Sequence, residues 1–382
     1  MRISKVVEQI PPSGIRAFFD LVLGMKDVIS LGVGEPDFVT PWNIREAGIY
    51  SLEKGYTSYT SNKGMVELRE EIAKYLKHKY NLKYDPEEEI LVTVGVSEGL
   101  DLAVRAIVNP GDKVLIPEPH YVSYAPVVTL CGGRPVFIKT RPEKGFKITP
   151  KDITKNHTSK TKAIILSYPN NPTGASYSRA ELKGIARAIS KHNLIVISDE
   201  IYCDLTYDFN HTALPTIASM KERTVYLNGF SKAYAMTGWR IGYACGPQKM
   251  ISSMTKVHQY TMMCVPITSQ AAAIEALKNG ERAVQEMKRE YRRRREYVIA
   301  GLNEIGLSCH KPEGAFYAFP SIKGTGLESM EFAKALLKAE KVAVVPGTAF
   351  GPGGEGYIRI SYASSMDNLK EALVRIKRFL KK

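Results

Sequence analysis

The chain has 382 residues, 44% hydrophobic and 24% charged, proportions that argue against disorder, a collagen-like repeat or a membrane class. Its length exceeds one ordinary core and suits a large domain with a smaller one. Lysine and arginine outnumber aspartate and glutamate by 53 to 39, a net charge of +14 that raises nucleic acid as a partner. The most basic run, Arg292 to Arg295, weakens that idea, because consecutive helical residues fan out by roughly 100° each and cannot form one stripe. Glu290 stands four residues before Arg294 for a local ion pair, so the run reads as a solvated helix surface and no nucleic-acid partner is expected. The opening MRISKVVEQIPPSGIR lacks the apolar core of a secretion signal. No apolar run reaches the ~18 residues a membrane span needs. No membrane partner and a cytoplasmic location are expected. Five scattered cysteines with no CxxC pair encode neither a zinc site nor a redox motif, so no metal is expected.

In chain order, short apolar runs alternate with helical segments: EILVTVG then DLAVRAIV, DKVLIP, KAIILSYP then ELKGIARAIS, NLIVISDE, RTVYLNGF and WRIGYACG. Such alternation predicts an α/β domain with a mostly parallel sheet, assigned here to residues 46–285. A long charged helix follows in EMKREYRRRREYVIAGLNEIG, then GAFYAFP, a helix near SMEFAKALLKAE, KVAVVPG, GYIRISYA and a last amphipathic helix. These predict a smaller α/β unit over 286–382, with 1–45 an N-terminal segment joining it. GPGGEG near residue 351 leads from no strand into a helix and reads as a turn, and no GxxxxGK[ST] loop is present.

Ligands of open α/β sheets sit outside the carboxyl ends of the strands. Those ends carry Gly95-Val96-Ser97, Asn170-Asn171-Pro172, Asp199-Glu200 and Ser231-Lys232. Each alone is ordinary turn or capping chemistry; together they predict one pocket. Lys232 follows an apolar strand, and Arg240 eight residues on disfavours a second ammonium nearby. Partial burial acts the same way, giving an amine nucleophile suited to a carbonyl. The Ser231 hydroxyl, the Arg240 guanidinium and the free amides where VTVG turns into a helix near Ser97 suit a phosphate dianion. An aldehyde carrying a phosphate is the natural guest. Asp199 is placed to face a ring nitrogen of that guest: at about 4 Å and an effective dielectric near 20, the pair attracts by on the order of 4 kcal/mol before desolvation.

GVGEPDF, YTSNKG, EPHYVSY, YPNNPTG, SDEIY, FSKAYAMTGWRIGY, PEGAFY and RISYA occur in this order. With them the chain resembles, nearly end to end, the fold-type I aminotransferases that use pyridoxal 5'-phosphate. The resemblance implies a large domain with a mostly parallel seven-stranded sheet flanked by helices, plus a smaller α/β domain. It implies that Lys232 carries the cofactor through its amine, that Asp199 binds the pyridine nitrogen, that Tyr202 and Asn171 bond the ring oxygen, and that Tyr121 stacks on the ring. Val96, Ser97, Ser231 and Arg240 would hold the phosphate, with Tyr59 reaching it from the neighbouring subunit of a homodimer. Arg359 would pair with the substrate α-carboxylate, helped by Gly34 and Asn171. The chain departs from the family at Gly229, where a serine often supplies a further phosphate ligand.

The implied reaction is ping-pong: an L-amino acid gives its amino group to the cofactor, which passes it to a 2-oxo acid, 2-oxoglutarate being the expected acceptor. Lys232 serves as general base and acid. Members preferring acidic side chains can carry a lysine where Ser97 stands, and here it is absent. SGIR, SDEIYCDLTYD, KVHQYT and RISYASSMDNL look most like the branch of aspartate, aromatic and N-acetyl-diaminopimelate aminotransferases, whose N-terminal segment would bring Ile15 and Arg16 to the substrate. The same fold hosts carbon–sulfur lyases and cofactor-binding regulators. The motif set favours transamination.

Overall fold

A computed structural model describes residues 3–16, 22 and 24–381. Its centre is a seven-stranded sheet in the order β2-β8-β7-β6-β5-β3-β4. The strands are β2 (Ile90–Thr93), β3 (Lys113–Glu118), β4 (Arg134–Lys139), β5 (Thr161–Ser167), β6 (Ile195–Asp199), β7 (Thr224–Gly229) and β8 (Gly242–Cys245). Neighbours from β4 through β7 pair in parallel, and β8 runs antiparallel to both β7 and β2. The WRIGYACG run is thus the one reversed strand. β2, β7 and β8 are buried along their whole length, as expected of a sheet covered on both faces. The Gly95–Ile107 helix shows how: it lays Leu100, Ala103, Val104 and Ile107 against the apolar layer formed with Val114, Ile116, Ile165 and Ile197.

Beyond this sheet, β11 (Val345–Pro346), β12 (Ile358–Ser361) and β9 (Tyr317–Ala318) form an antiparallel trio, and β1 (Ile29–Ser30) pairs in parallel with β10 (Val342–Ala343). The β1 pairing fastens the N-terminal segment to this part of the chain. Helices Glu281–Glu304, Ser329–Glu340 and Met366–Leu380 pack a second core around Tyr291, Phe316, Phe332, Ile360 and Ile376. GPGGEG contains one short turn, Pro352–Gly354, as its composition predicts, just after another at Gly347–Phe350.

The basic run departs from expectation. Arg292 and Arg293 are solvated, but Arg294 and Arg295 are 6% and 0% exposed. Arg294 keeps the foreseen bond to Glu290 (2.9 Å) and adds a two-oxygen contact with Asp37 (2.8 Å each). Arg295 donates to both carboxylate oxygens of Asp208 (2.6 and 2.8 Å) and to the Pro312 carbonyl (2.7 Å). The reason is periodicity: Val284, Met287, Tyr291, Arg294 and Val298 recur every three or four residues on the packed face. The fan that ruled out a basic stripe also turns two of the four inward.

Candidate active site

The carboxyl ends of β2, β5, β6 and β7 meet the antiparallel trio, and most of the residues singled out in the sequence gather there. Lys232, three residues past β7, is half-buried, and its Nζ donates to the Gly34 carbonyl at 2.6 Å. The same nitrogen stands 5.8 Å from the ring centres of Tyr202 and Phe316. Burial, aided by the positive charges of Arg359 and Arg240, pulls its pKa down to about 8 against the opposing pull of Glu35 and Asp199. Roughly a quarter of such an amine is neutral at pH 7.5, against about one part in a thousand at the ordinary value.

Asp199 closes β6 and is buried. Burial lifts its carboxyl to about 6, opposed by hydrogen bonds from the Tyr124 hydroxyl (2.7 Å) and the Ile201 amide (3.2 Å). Among the described residues no cation lies within 4.0 Å of it.

Arg359, on β12, is 1% exposed. Its guanidinium is sandwiched between the rings of Tyr317 (4.5 Å) and Phe350 (4.9 Å). It donates to Asn171 Oδ1 (2.9 Å) and the Gly32 carbonyl (2.5 Å), while its Nε has no partner. Among the described residues no carboxylate pairs with it. A cation removed from water without an anion is costly, so the site is complementary to an incoming carboxylate. Gly34 lies alongside: a Cβ there would sit 2.8 Å from Tyr317 Oη and 3.7 Å from Arg359 Nη2.

Two refinements concern the residues expected to hold a phosphate. The helix after β2 begins at Gly95, two residues before Ser97, so the amides of Gly95, Val96 and Ser97 are all first-turn donors. Gly95 has φ +72°, and a Cβ there would sit 2.7 Å from Arg240 Nη2, so glycine lets the Arg240 guanidinium lie against the helix start. Arg240 is exposed, as is Ser97, whereas Ser231 is buried and Val96 half-buried. The acid of that turn, Glu98, is turned away by bonds to the Val94 amide and to His258 Nδ1. Gly229 has a physical cause: it faces Gly242 across the β7–β8 pair, and a Cβ would lie 2.8 Å from the Gly242 Cα. A serine there would force the strands apart.

Tyr202 bonds its hydroxyl to that of Tyr317 (2.8 Å), and Tyr121 is half-buried with its ring edge-on to Tyr124 (5.7 Å). Tyr59 stands apart, 81% exposed, with no hydrogen bond or ring contact to the other candidates among the described residues. Ile15 packs against the apolar group of Phe350, Val122 and Ala349. Sequence reasoning missed Tyr124, Tyr317 and Phe350. The first two lie in EPHYVSY and PEGAFY, motifs used for their neighbours, and Phe350 lies between KVAVVPG and GPGGEG, in neither.

The family model for aminotransferase class I and II matches residues 26–376. The Bacillus subtilis protein YugH is 59% identical over all of this chain and 98% of its own length, and an aspartate aminotransferase of Pyrococcus abyssi is 47% identical over 100% and 99%. Among solved structures, an aromatic aminotransferase of Pyrococcus horikoshii superposes with a TM-score of 0.91 at 46% identity, covering 96% of this chain and 98% of its own. The Thermus thermophilus aspartate aminotransferase with maleate gives 0.95 at 40%, covering 99% and 100%. An unpaired buried arginine, a buried aspartate and a half-buried amine at the sheet's carboxyl edge thus stand in a chain that belongs to the class I and II aminotransferases, and it is an aminotransferase.

Proposed function

We propose that this chain moves an amino group from an L-amino acid to a 2-oxo acid, 2-oxoglutarate as acceptor, in two half-reactions over pyridoxal 5'-phosphate held at Lys232. The observation that carries this is the charge pattern of the pocket. A buried carboxylate without a cation and a buried guanidinium without an anion flank an amine whose pKa is near 8. A guest with a protonated ring nitrogen, a phosphate and a substrate carboxylate complements all of them. When bound, this cofactor supplies an aldehyde that accepts the amino group and an electron-poor ring that takes up the electron pair left as the α-proton departs.

The chain's own residues do the rest. Lys232 Nζ would anchor the cofactor and, once released from it, would take the proton from the substrate α-carbon and deliver it to the cofactor within the same half-reaction. Asp199 holds the ring-nitrogen proton, while Tyr202 and Asn171 orient the ring oxygen and Tyr121 covers the ring face. The first-turn amides of Gly95, Val96 and Ser97, with Ser231 and Arg240, hold the phosphate. Arg359 binds the α-carboxylate beside Gly34 and Asn171. Phe350 lies against Arg359 and belongs to an apolar cluster onto which Ile15, Val122 and Ala349 pack, which supports donors with apolar side chains over donors with a second carboxylate. Single-turnover mixing of the loaded protein with phenylalanine, alanine and aspartate tests this. Faster loss of the cofactor's visible band with the first two supports it, and preference for aspartate contradicts it.

The division into segment 1–45, cofactor unit 46–285 and unit 286–382 places this pocket where the two larger units meet. We further propose a homodimer in which Tyr59 completes the partner's phosphate site. Tyr59 at 81% and Tyr260 at 87% exposure, with Met262 and Met263, form a patch tied together by the Asn62 bond to the Met263 carbonyl (2.6 Å), and large exposed apolar patches mark interfaces. Mixing Lys232→Ala with Tyr59→Ala chains should restore up to about a quarter of wild-type activity, since each mixed dimer regains one intact site. No recovery would contradict a shared site. The five unpaired thiols suit a reducing compartment, the cytoplasm.

A further inference from the structure

Behind Asp199 lies a polar arrangement that the transamination roles leave unused. Tyr124 is 2% exposed at the start of the Tyr124–Leu130 helix. Its hydroxyl donates to Asp199 Oδ2 at 2.7 Å. Ser167 lines a small cavity together with Tyr124, Asn170 and Tyr177 and stands beside Asp199 in the β5–β6 pairing. Its ring meets that of Tyr121 edge-on at 5.7 Å. One side chain therefore touches both the residue that would face the ring nitrogen and the residue that would cover the ring.

We propose that Tyr124 is the positioning residue of this site: its hydroxyl keeps the Asp199 carboxylate ionised and aimed, and its ring buttresses Tyr121. The chemistry follows from the donor inventory. A phenol has one hydrogen to donate, and Asp199 Oδ2 takes it. A bond donated to the charged form of a buried carboxylate favours that form, and such bonds are among the stronger ones. The Ile201 amide on Oδ1 fixes the second oxygen, so the carboxylate plane is held from both sides. Without the phenol, only the Ile201 amide and the Lys232 charge would oppose burial, and the balance would move toward the neutral form. A neutral carboxyl cannot stabilise a protonated ring nitrogen. The link to the cofactor rests on the function proposed above, but the hold on Asp199 does not.

The test begins on the cofactor-free protein. Isotope-edited carboxylate titration of Asp199 should give a midpoint at least one pH unit higher in Tyr124→Phe than in the unchanged chain. Pyridoxal phosphate affinity should then fall about tenfold in Tyr124→Phe near neutral pH and recover as pH rises past the new midpoint. In the unchanged chain, the labelled Tyr124 ring-carbon resonance should shift as Asp199 ionises, a readout that needs no variant. An unmoved Asp199 midpoint, a Tyr124 resonance blind to that titration, or an affinity loss equal at every pH overturns the proposal. A moved midpoint with no cofactor bound by either protein would keep the hold on Asp199 and overturn the cofactor reading instead.

Discussion

Arg295 and Arg359 are both buried arginines, 0% and 1% exposed, yet they do opposite things. Arg295 is ion-paired within the chain: two bonds to Asp208, one to Glu296 and one to the Pro312 carbonyl. Arg359 has the rings of Tyr317 and Phe350 against it and two neutral acceptors, and among the described residues no carboxylate; its Nε, like that of Arg295, has no partner. A cation whose anion is in the fold holds the fold together; a cation whose anion must arrive marks where a ligand binds. The same contrast separates Asp208, held low by Arg295, from Asp199, which burial lifts to about 6.

The largest break in that contrast should come from Lys232. Lys232→Ala should lower turnover by roughly 10⁴-fold, the scale of losing a nucleophile and a general base together, while unfolding midpoints stay within a few degrees. Substantial residual transamination would contradict its role. Next, Arg359→Met should raise the apparent Michaelis constant for amino and oxo acids by about 100-fold or more, the worth of a charge-assisted pair. It should cost little stability, because no acid of the chain is stranded. An unchanged Michaelis constant would count against the carboxylate role. Arg295→Met should do the reverse, lowering stability in denaturant titrations by about 2–3 kcal/mol, moderated because Asp208 reaches solvent. Its Michaelis constants should hold, and a large change in them would erase the distinction drawn between the two arginines.

The smallest effect concerns pH. The lysine's folded pKa is lowered, so its reactive neutral form is already mostly populated a little above pH 8. The rate at which cofactor-free protein takes up pyridoxal phosphate should therefore rise only about two-fold between pH 8 and 10. An amine titrating at its ordinary value would instead gain nearly a hundred-fold, and stopped-flow absorbance separates the two.

Much of this was legible in the sequence because alternating apolar runs dictate the sheet and the polar residues fall at strand ends. Lys232, Asp199, Asn171 and Arg359 were named that way or through the motifs around them. What was not legible depends on contacts far apart in the chain. Tyr124 reaches Asp199 across 75 positions, and the tyrosine that stacks and the tyrosine that donates look alike in EPHYVSY. Arg294 and Arg295 read as surface because the fan of the run and its Glu290 partner say nothing of which face packs, and that is set by the three-and-four spacing of Met287, Tyr291 and Val298. Gly229 looked like a missing ligand, and its cause, the Gly242 backbone opposite, requires the register of two strands. Phe350 follows no periodic pattern, and only the fold brings it over Arg359.

The central claim is that the amine at position 232 carries the cofactor. Borohydride reduction of the loaded protein, followed by proteolysis and mass mapping, tests it most directly. A single phosphopyridoxyl addition on the peptide containing Lys232 is the predicted result; the label on another lysine, or none at all, would contradict the account.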